Sequence, residues 1–186
     1  RKFLQGSLRV ASITPSSRSL AAAMTAHVDP ERPQTIVELG AGTGAITEAV
    51  AAAMHPASRL YALEVDPDLC AQLRLRVPAA VTLQGDVLEL PALLERAGAP
   101  QADLLLSALP SPGLAPEINR RVFEYYETLP RDTWFSQATI MPWVARGLFR
   151  RLFEVSSFHF VPANLPPGGV YHCRNLRPDW REQLPE

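Results

Sequence analysis

The sequence predicts an α/β protein built on a doubly wound, mostly parallel sheet of seven strands. Three observations carry that prediction. Short apolar runs alternate with helical stretches along the chain. One of these runs, DLLLSAL at 103–109, is unbroken and apolar, as in a strand buried on both faces. Another, TIVEL at 35–39, leads directly into a glycine-rich turn, GAGTG, and a helix.

The elements follow in order. KFLQGSLRV (2–10) and SRSLAAAMTAHV (17–28) read as two helical pieces, separated at ITPS because Pro15 disfavours helix at Thr14. After the first strand (35–39) an alanine-rich helix spans about 44–54. Strand two is 59–65, and Pro67 opens the next helix in its first turn. Strand three is 80–85, followed by a short helix at 91–97. Strand four is 103–109, with a helix at 116–127. Strand five is 133–140, and Pro142 opens a helix over 142–155. Two last strands fall near 153–160 and 169–174.

The chain has 186 residues, 47% of them hydrophobic, and a net charge of −1. That suits one core and provides no global field to gather a polyanion. The charge is unevenly placed. Residues 1–28 hold Arg1, Lys2, Arg9 and Arg18 and no acid; residues 29–133 are acidic; residues 134–186 are again basic. Basic flanks suggest an anionic surface as partner. The division expected is a membrane-facing segment at 1–28 that also covers the ligand site, and a catalytic domain at 29–186. Cys70 and Cys173 are the only cysteines, which makes no disulfide framework and points to a reducing cytosol. No apolar run is long enough for a transmembrane helix, and no signal peptide is read. The four histidines, His27, His55, His159 and His172, lack metal-ligand spacing, so no metal is expected.

Three ligands compete for the glycine turn. A nucleoside-triphosphate loop needs Gly-Lys-Ser/Thr, and the only lysine is Lys2. A dinucleotide loop is formally satisfied by Gly40, Gly42 and Ala45, with Glu64 near the distance of a ribose-binding acid. The third reading, S-adenosylmethionine, fits more residues. Glu38 puts negative charge beside the loop, which repels a pyrophosphate and attracts a sulfonium and an ammonium. Gly40, Gly42 and Gly44 let backbone approach a ligand. Glu64, ending strand two, suits ribose hydroxyls, and Asp86, after strand three, suits an adenine amine. Each acid alone has a plain alternative, a solvated strand end for Glu64 and a helix cap for Asp86. Their ordered combination is what favours the methyl donor. A dehydrogenase would also want a Tyr-x-x-x-Lys pair, which is absent.

These residues resemble those of the class I S-adenosylmethionine-dependent methyltransferases, which implies seven strands with one antiparallel. The tail of strand four, SALPSP (107–112), differs from the Asn-Pro-Pro-Tyr type of motif of the adenine-N6 enzymes. Ser107 replaces the asparagine and Ser111 the aromatic that stacks on a flipped base. Three stretches, ITPSSRSLAAAM (13–24), SALP (107–110) and PANLPPGGVYHCR (162–174), together resemble the bacterial phospholipid N-methyltransferases, a family similar to the ribosomal RNA adenine dimethylases. The resemblance implies transfer of methyl groups to the amine of phosphatidylethanolamine and its mono- and dimethyl forms, toward phosphatidylcholine. It implies cofactor contacts at Ser16, Ser17, Glu38, Gly40, Gly42, Gly44, Glu64, Val65, Gly85, Asp86, Val87 and Ser107. For the acceptor, the backbone carbonyls of Ser107 and Leu109 and the hydroxyl of Tyr171 would orient the amine. Pro110 would fix the turn, Arg18 would meet the lipid phosphate, and Asn164 would line the pocket.

Residues 142–155 add a physical argument. Val144, Leu148, Leu152 and Val155 share a helical face, with Trp143 and Phe149 at its border and Arg146, Arg150 and Arg151 opposite. That is the composition of an interfacial helix, although a sheet-covering helix needs an apolar face too. The expectation is a monomer, peripheral on the cytoplasmic face of the membrane, with nucleic acid an unlikely partner. Two other classes remain open: an RNA or DNA adenine N6-methyltransferase, and a non-catalytic membrane-surface module.

Overall fold

The computed structural model describes residues 18–99, 101–110 and 114–184. In chain order these form α1 (Arg18–Met24), β1 (Thr35–Leu39), α2 (Ala45–Ala53), β2 (Arg59–Glu64), α3 (Pro67–Arg76), β3 (Ala80–Gln84) and a 3-10 turn (Val87–Glu89). Then come α4 (Leu90–Arg96), β4 (Leu104–Ser107), α5 (Pro116–Glu127), β5 (Trp134–Thr139), α6 (Pro142–Leu152), β6 (Phe153–Val161), β7 (Gly168–Leu176) and α7 (Trp180–Gln183).

The seven strands make one sheet in the order β3-β2-β1-β4-β5-β7-β6. The first five are parallel, and β7 runs antiparallel to both β5 and β6. This is the predicted doubly wound sheet with one reversed strand. Buried β-branched and leucine side chains alternate between two cores. One face of the sheet packs Val37, Leu39, Leu63, Leu105 and Phe135 against the helices α4 to α7. The other packs Ile36, Leu60, Leu104 and Leu106 against α1, α2 and α3.

Two differences from the sequence reading matter for function. First, α6 is a sheet-covering helix. Leu148, Phe149 and Leu152 are buried against the sheet, while Trp143 is 80% exposed. The apolar face of this helix meets core and not lipid; Phe149, expected at its border, lies within it, and Val155 belongs to β6. Second, α1 belongs to the core. Its Leu20, Ala21 and Met24 are buried with Ile46 and Val50 of α2, so one face of the described part of residues 1–28 packs into the core. The short α7, whose Trp180 is wholly buried, has no counterpart in the sequence reading.

Candidate functional site

β1 ends at Leu39 and the chain turns through Gly40, Ala41, Gly42 and Thr43 to Gly44, the residue that caps α2. All three glycines adopt positive φ, +76°, +55° and +83°. For a side chain that backbone is strained. At two of them a side chain would also have to displace a leucine methyl. A Cβ at Gly40 would lie 2.9 Å from a methyl of Leu109, and one at Gly44 would lie 2.6 Å from Leu73. At Gly42 nothing stands within 4 Å, so the loop there borders open space. A cradle for a ligand has this property: tight against protein behind, empty in front.

Glu64 shapes the loop. One carboxylate oxygen accepts the Gly42 amide at 2.8 Å; the other accepts the Val65 amide at 2.8 Å and the Asp66 amide at 3.0 Å. The backbone amides of Gly40 and Ala41 add bonds of 2.9 and 3.0 Å to the Leu63 carbonyl. The residue read from sequence as a ribose acceptor is therefore also the clasp of the glycine loop. A carboxylate offers about four acceptor positions, so three bonds leave room for one more donor.

Glu38 lies behind the loop, on the α2 side of the sheet. It is completely buried, and among the described residues neither carboxyl oxygen has a hydrogen-bond partner. Burial pushes its pKa up from 4.5 to about 7, with the Glu64 charge adding to the rise. The Thr47 hydroxyl lies beside it and opposes part of that shift, though its geometry falls short of a hydrogen bond. An orphaned buried carboxyl beside an open loop fits a cationic ligand, because a nearby positive charge would offset the cost of ionising it.

On the neighbouring strand ends, Asp86 caps the 3-10 turn by accepting the Leu88 amide at 2.9 Å. The helix-cap alternative is thus realised, and it engages only one of its oxygens among the described residues. The Gly85 amide donates to the Glu64 carbonyl at 3.1 Å, and a Cβ there would strike Leu93. Val65 is half exposed beside the loop, whereas Val87 is buried in the core. Ser107 is buried at the end of β4, opposite Leu39 and Gln137 in register. Ser16, Ser17 and Ser111 lie outside the described residues. Arg18 is exposed at the start of α1.

The acceptor residues change most. Tyr171 is buried, its ring lies between Phe149 and Phe158, and its hydroxyl donates to the Pro142 carbonyl at 2.6 Å. That bond ties β7 to the start of α6, which gives this buried hydroxyl a structural partner where the sequence reading gives it a substrate amine. Asn164 is buried as well, and its amide donates to the Pro166 carbonyl at 2.8 Å, bracing the β6–β7 turn. The Leu109 carbonyl accepts the Gln137 side-chain amide at 2.8 Å, and the same amide also donates to the Ala138 carbonyl. Gln137 was missed, although a glutamine inside the apolar strand FSQAT is a visible signal. It clamps the tail of β4 to β5. Pro110 is half buried in that tail.

Residues 16–159 match the family model of the ribosomal RNA adenine dimethylases. The chain belongs to this family. As a member of the dimethylase family it is a class I S-adenosylmethionine-dependent methyltransferase, and the glycine loop, Glu38 and Glu64 fit that cofactor. Over 180 residues it is 38% identical to the ornithine lipid N-methyltransferase of Singulisphaera acidiphila, covering 95% of this chain and 94% of that one. It is 40% identical to the ribosomal RNA small subunit methyltransferase A of Dechloromonas aromatica over 73 residues, or 38% of this chain and 28% of that one. Its fold resembles that of an O-methyltransferase from Bacillus cereus solved with S-adenosylhomocysteine, with a TM-score of 0.67, 12% identity, and 94% and 91% of the two chains covered. Among the described residues no helix is long and apolar enough to cross a membrane.

Proposed function

We propose that this dimethylase-family enzyme methylates the primary amine of a membrane lipid, with phosphatidylethanolamine as acceptor and its mono- and dimethyl forms as later acceptors. The observation that carries the reading is the extent of the two likenesses. The lipid-modifying relative aligns over nearly the whole of both chains, whereas the RNA-modifying relative aligns over little more than a third of this one. The sequence after β4 supports it, because SALPSP offers no aromatic platform for a flipped base.

When bound, S-adenosylmethionine supplies a methyl group already activated on a sulfonium. The chain's own residues then have three tasks. Glu38 and the glycine loop receive the cationic end of the cofactor. Glu64, through its remaining acceptor position, and Asp86, through its second oxygen, hold ribose and adenine. The tail of β4 positions the acceptor: the Leu109 carbonyl keeps one lone pair beyond its bond to Gln137 and accepts a hydrogen of the amine. Alignment and proximity supply most of the acceleration of such a displacement. Ser16, Ser17 and Val65 are assigned cofactor contacts, and Arg18, on the helix that packs against α2, is assigned the lipid phosphate. The attacking amine must be neutral, so turnover should rise from neutral to alkaline pH without a histidine limb.

The test is to incubate the protein with methyl-labelled cofactor and, in separate reactions, vesicles of phosphatidylethanolamine, vesicles of an ornithine lipid, and ribosomal RNA. Label in the phosphatidylethanolamine fraction is expected. Label confined to the ornithine lipid would move the headgroup assignment, and N6-methyladenine with unlabelled lipid would replace the reading with the RNA one.

A further inference from the structure

Five large apolar side chains from three segments of the chain stand in water at one end of the sheet. Trp143 is 80% and Leu165 81% exposed; Ile140, Met141 and Phe160 are each about half exposed. Strand register places them together. Thr139, the last residue of β5, pairs with Gly169, which pairs with Phe160. One step on, the chain leaves β5 as Ile140 and Met141 and enters α6 through Trp143. Beside it the β6–β7 turn carries Leu165. Neighbouring strands lie about 5 Å apart, so these segments form one rim. Exposed apolar residues scattered singly need no explanation, but a contiguous group does.

The rim sits at the active end of the molecule. β5 is parallel to β4 and β1, so its carboxyl end lies on the side where β1 releases the glycine loop and β4 releases the 108–110 segment. Gln137 of β5 bonds directly to that segment at Leu109. Its charge is one-sided too. Residues 140–153 and 155–178 contain no acid. On α6, Trp143, Arg146, Gly147 and Arg150 follow one another at helical spacing and are all exposed, while Leu148, Phe149 and Leu152 face the core. Among the described residues neither Arg146 nor Arg150 has an acidic partner at ion-pair distance.

We infer that this rim is the surface by which the protein docks on an anionic leaflet. Trp143, Leu165, Ile140, Met141 and Phe160 enter the interface, and Arg146 and Arg150 lie among the headgroups. Indole and aliphatic side chains next to unpaired arginines, with no acid nearby, match the apolar interior and negative surface of such a leaflet. The inference rests on the reading that the acceptor is a lipid, since docking here would set the mouth of the site against the leaflet holding it.

The experiment uses the full chain and its Trp143→Ser, Leu165→Ser, Trp143→Phe and doubly serine-substituted variants. Vesicles of phosphatidylethanolamine, with and without phosphatidylglycerol, are floated with each. The double serine variant should lose about tenfold in partitioning, with Trp143→Phe close to the parent. Removing phosphatidylglycerol should weaken the parent. Brominated lipid should quench the parent's fluorescence, and Trp143→Phe should abolish most of that quenching. Calorimetric binding of S-adenosylhomocysteine and transfer to detergent-dispersed lipid should be unchanged, which shows that the variants fold. A double variant that floats like the parent, a parent that binds no vesicles, or unquenched Trp143 would overturn the inference. If the rim binds vesicles but no lipid is methylated, the acceptor reading fails and the rim stands. If dispersed lipid is methylated while vesicle binding ignores these substitutions, the reverse holds.

Discussion

The two halves of the sheet solve different problems. Around β2, β1 and β4 the strand ends present backbone amides, glycines and carboxylates, and Glu64 holds three backbone amides at once. Around β5, β7 and β6 several polar side chains are turned inward. Tyr171, Asn164 and Gln137 all bond to backbone carbonyls, while large apolar side chains such as Phe160 and Leu165 face water. The comparison teaches that the donor half is held in shape by the groups that would bind the ligand, whereas the acceptor half uses its polar residues as braces.

The halves also titrate in opposite directions. Glu38, pushed up to about 7, keeps its proton in the folded chain where an unfolded carboxyl, at 4.5, has lost it; stability therefore falls as pH rises from about 4.5 to 7. His172 shares a 2.9 Å hydrogen bond with Ser136 on β5. Burial, with His27 and His159 nearby, lowers its pKa from 6.5 to about 4. The unfolded chain takes up that proton first, so stability falls as pH drops from about 6.5 to 4.

The largest way to break the contrast is Glu64→Ala. Losing a charged acceptor shared by three amides should cost about 3 kcal/mol of stability in denaturant melts and weaken S-adenosylhomocysteine binding by more than tenfold in calorimetry. Stability unchanged would mean that the clasp does not shape the loop. Next is Glu38→Gln, which should stabilise the cofactor-free protein by roughly 1–3 kcal/mol at pH 8, leave it little changed at pH 4.5, and still weaken cofactor binding. In His172→Asn, whatever its stability at pH 7, the slope of stability between pH 4 and 6.5 should flatten. Tyr171→Phe should cost about 1 kcal/mol of stability, and kcat should change no more than cofactor affinity does. A selective fall in kcat would restore its hydroxyl to the acceptor. Smallest in stability is Gly42→Ala, about 1 kcal/mol from its left-handed backbone, but its cofactor affinity should fall further because its side chain enters the open cradle.

This contrast also sets what the sequence makes legible. The donor half is readable because its chemistry lives in backbone and residue type: glycines at 40, 42 and 44, and acids at fixed places after parallel strands. Asp86 shows the limit, since a capping acid and a ligand-binding acid share one position after a strand. The acceptor half is not readable in that way. An apolar stripe at Leu148 and Leu152 serves a core or a membrane equally well, and only the position of the sheet decides. A tyrosine in a buried strand gives no hint that the Pro142 carbonyl waits for it. The four residues of α7 are too few to show a period at all.

Gly40 of the donor loop and Leu109 of the acceptor segment meet where a single added methyl would have to intrude. A single hydrogen atom at residue 40 therefore sets how closely the glycine loop and the 108–110 segment approach each other. A bulkier residue at 40 would have to push the Leu109 side chain aside, so the seating of one loop on the other rests on the smallest substituent an amino acid can carry.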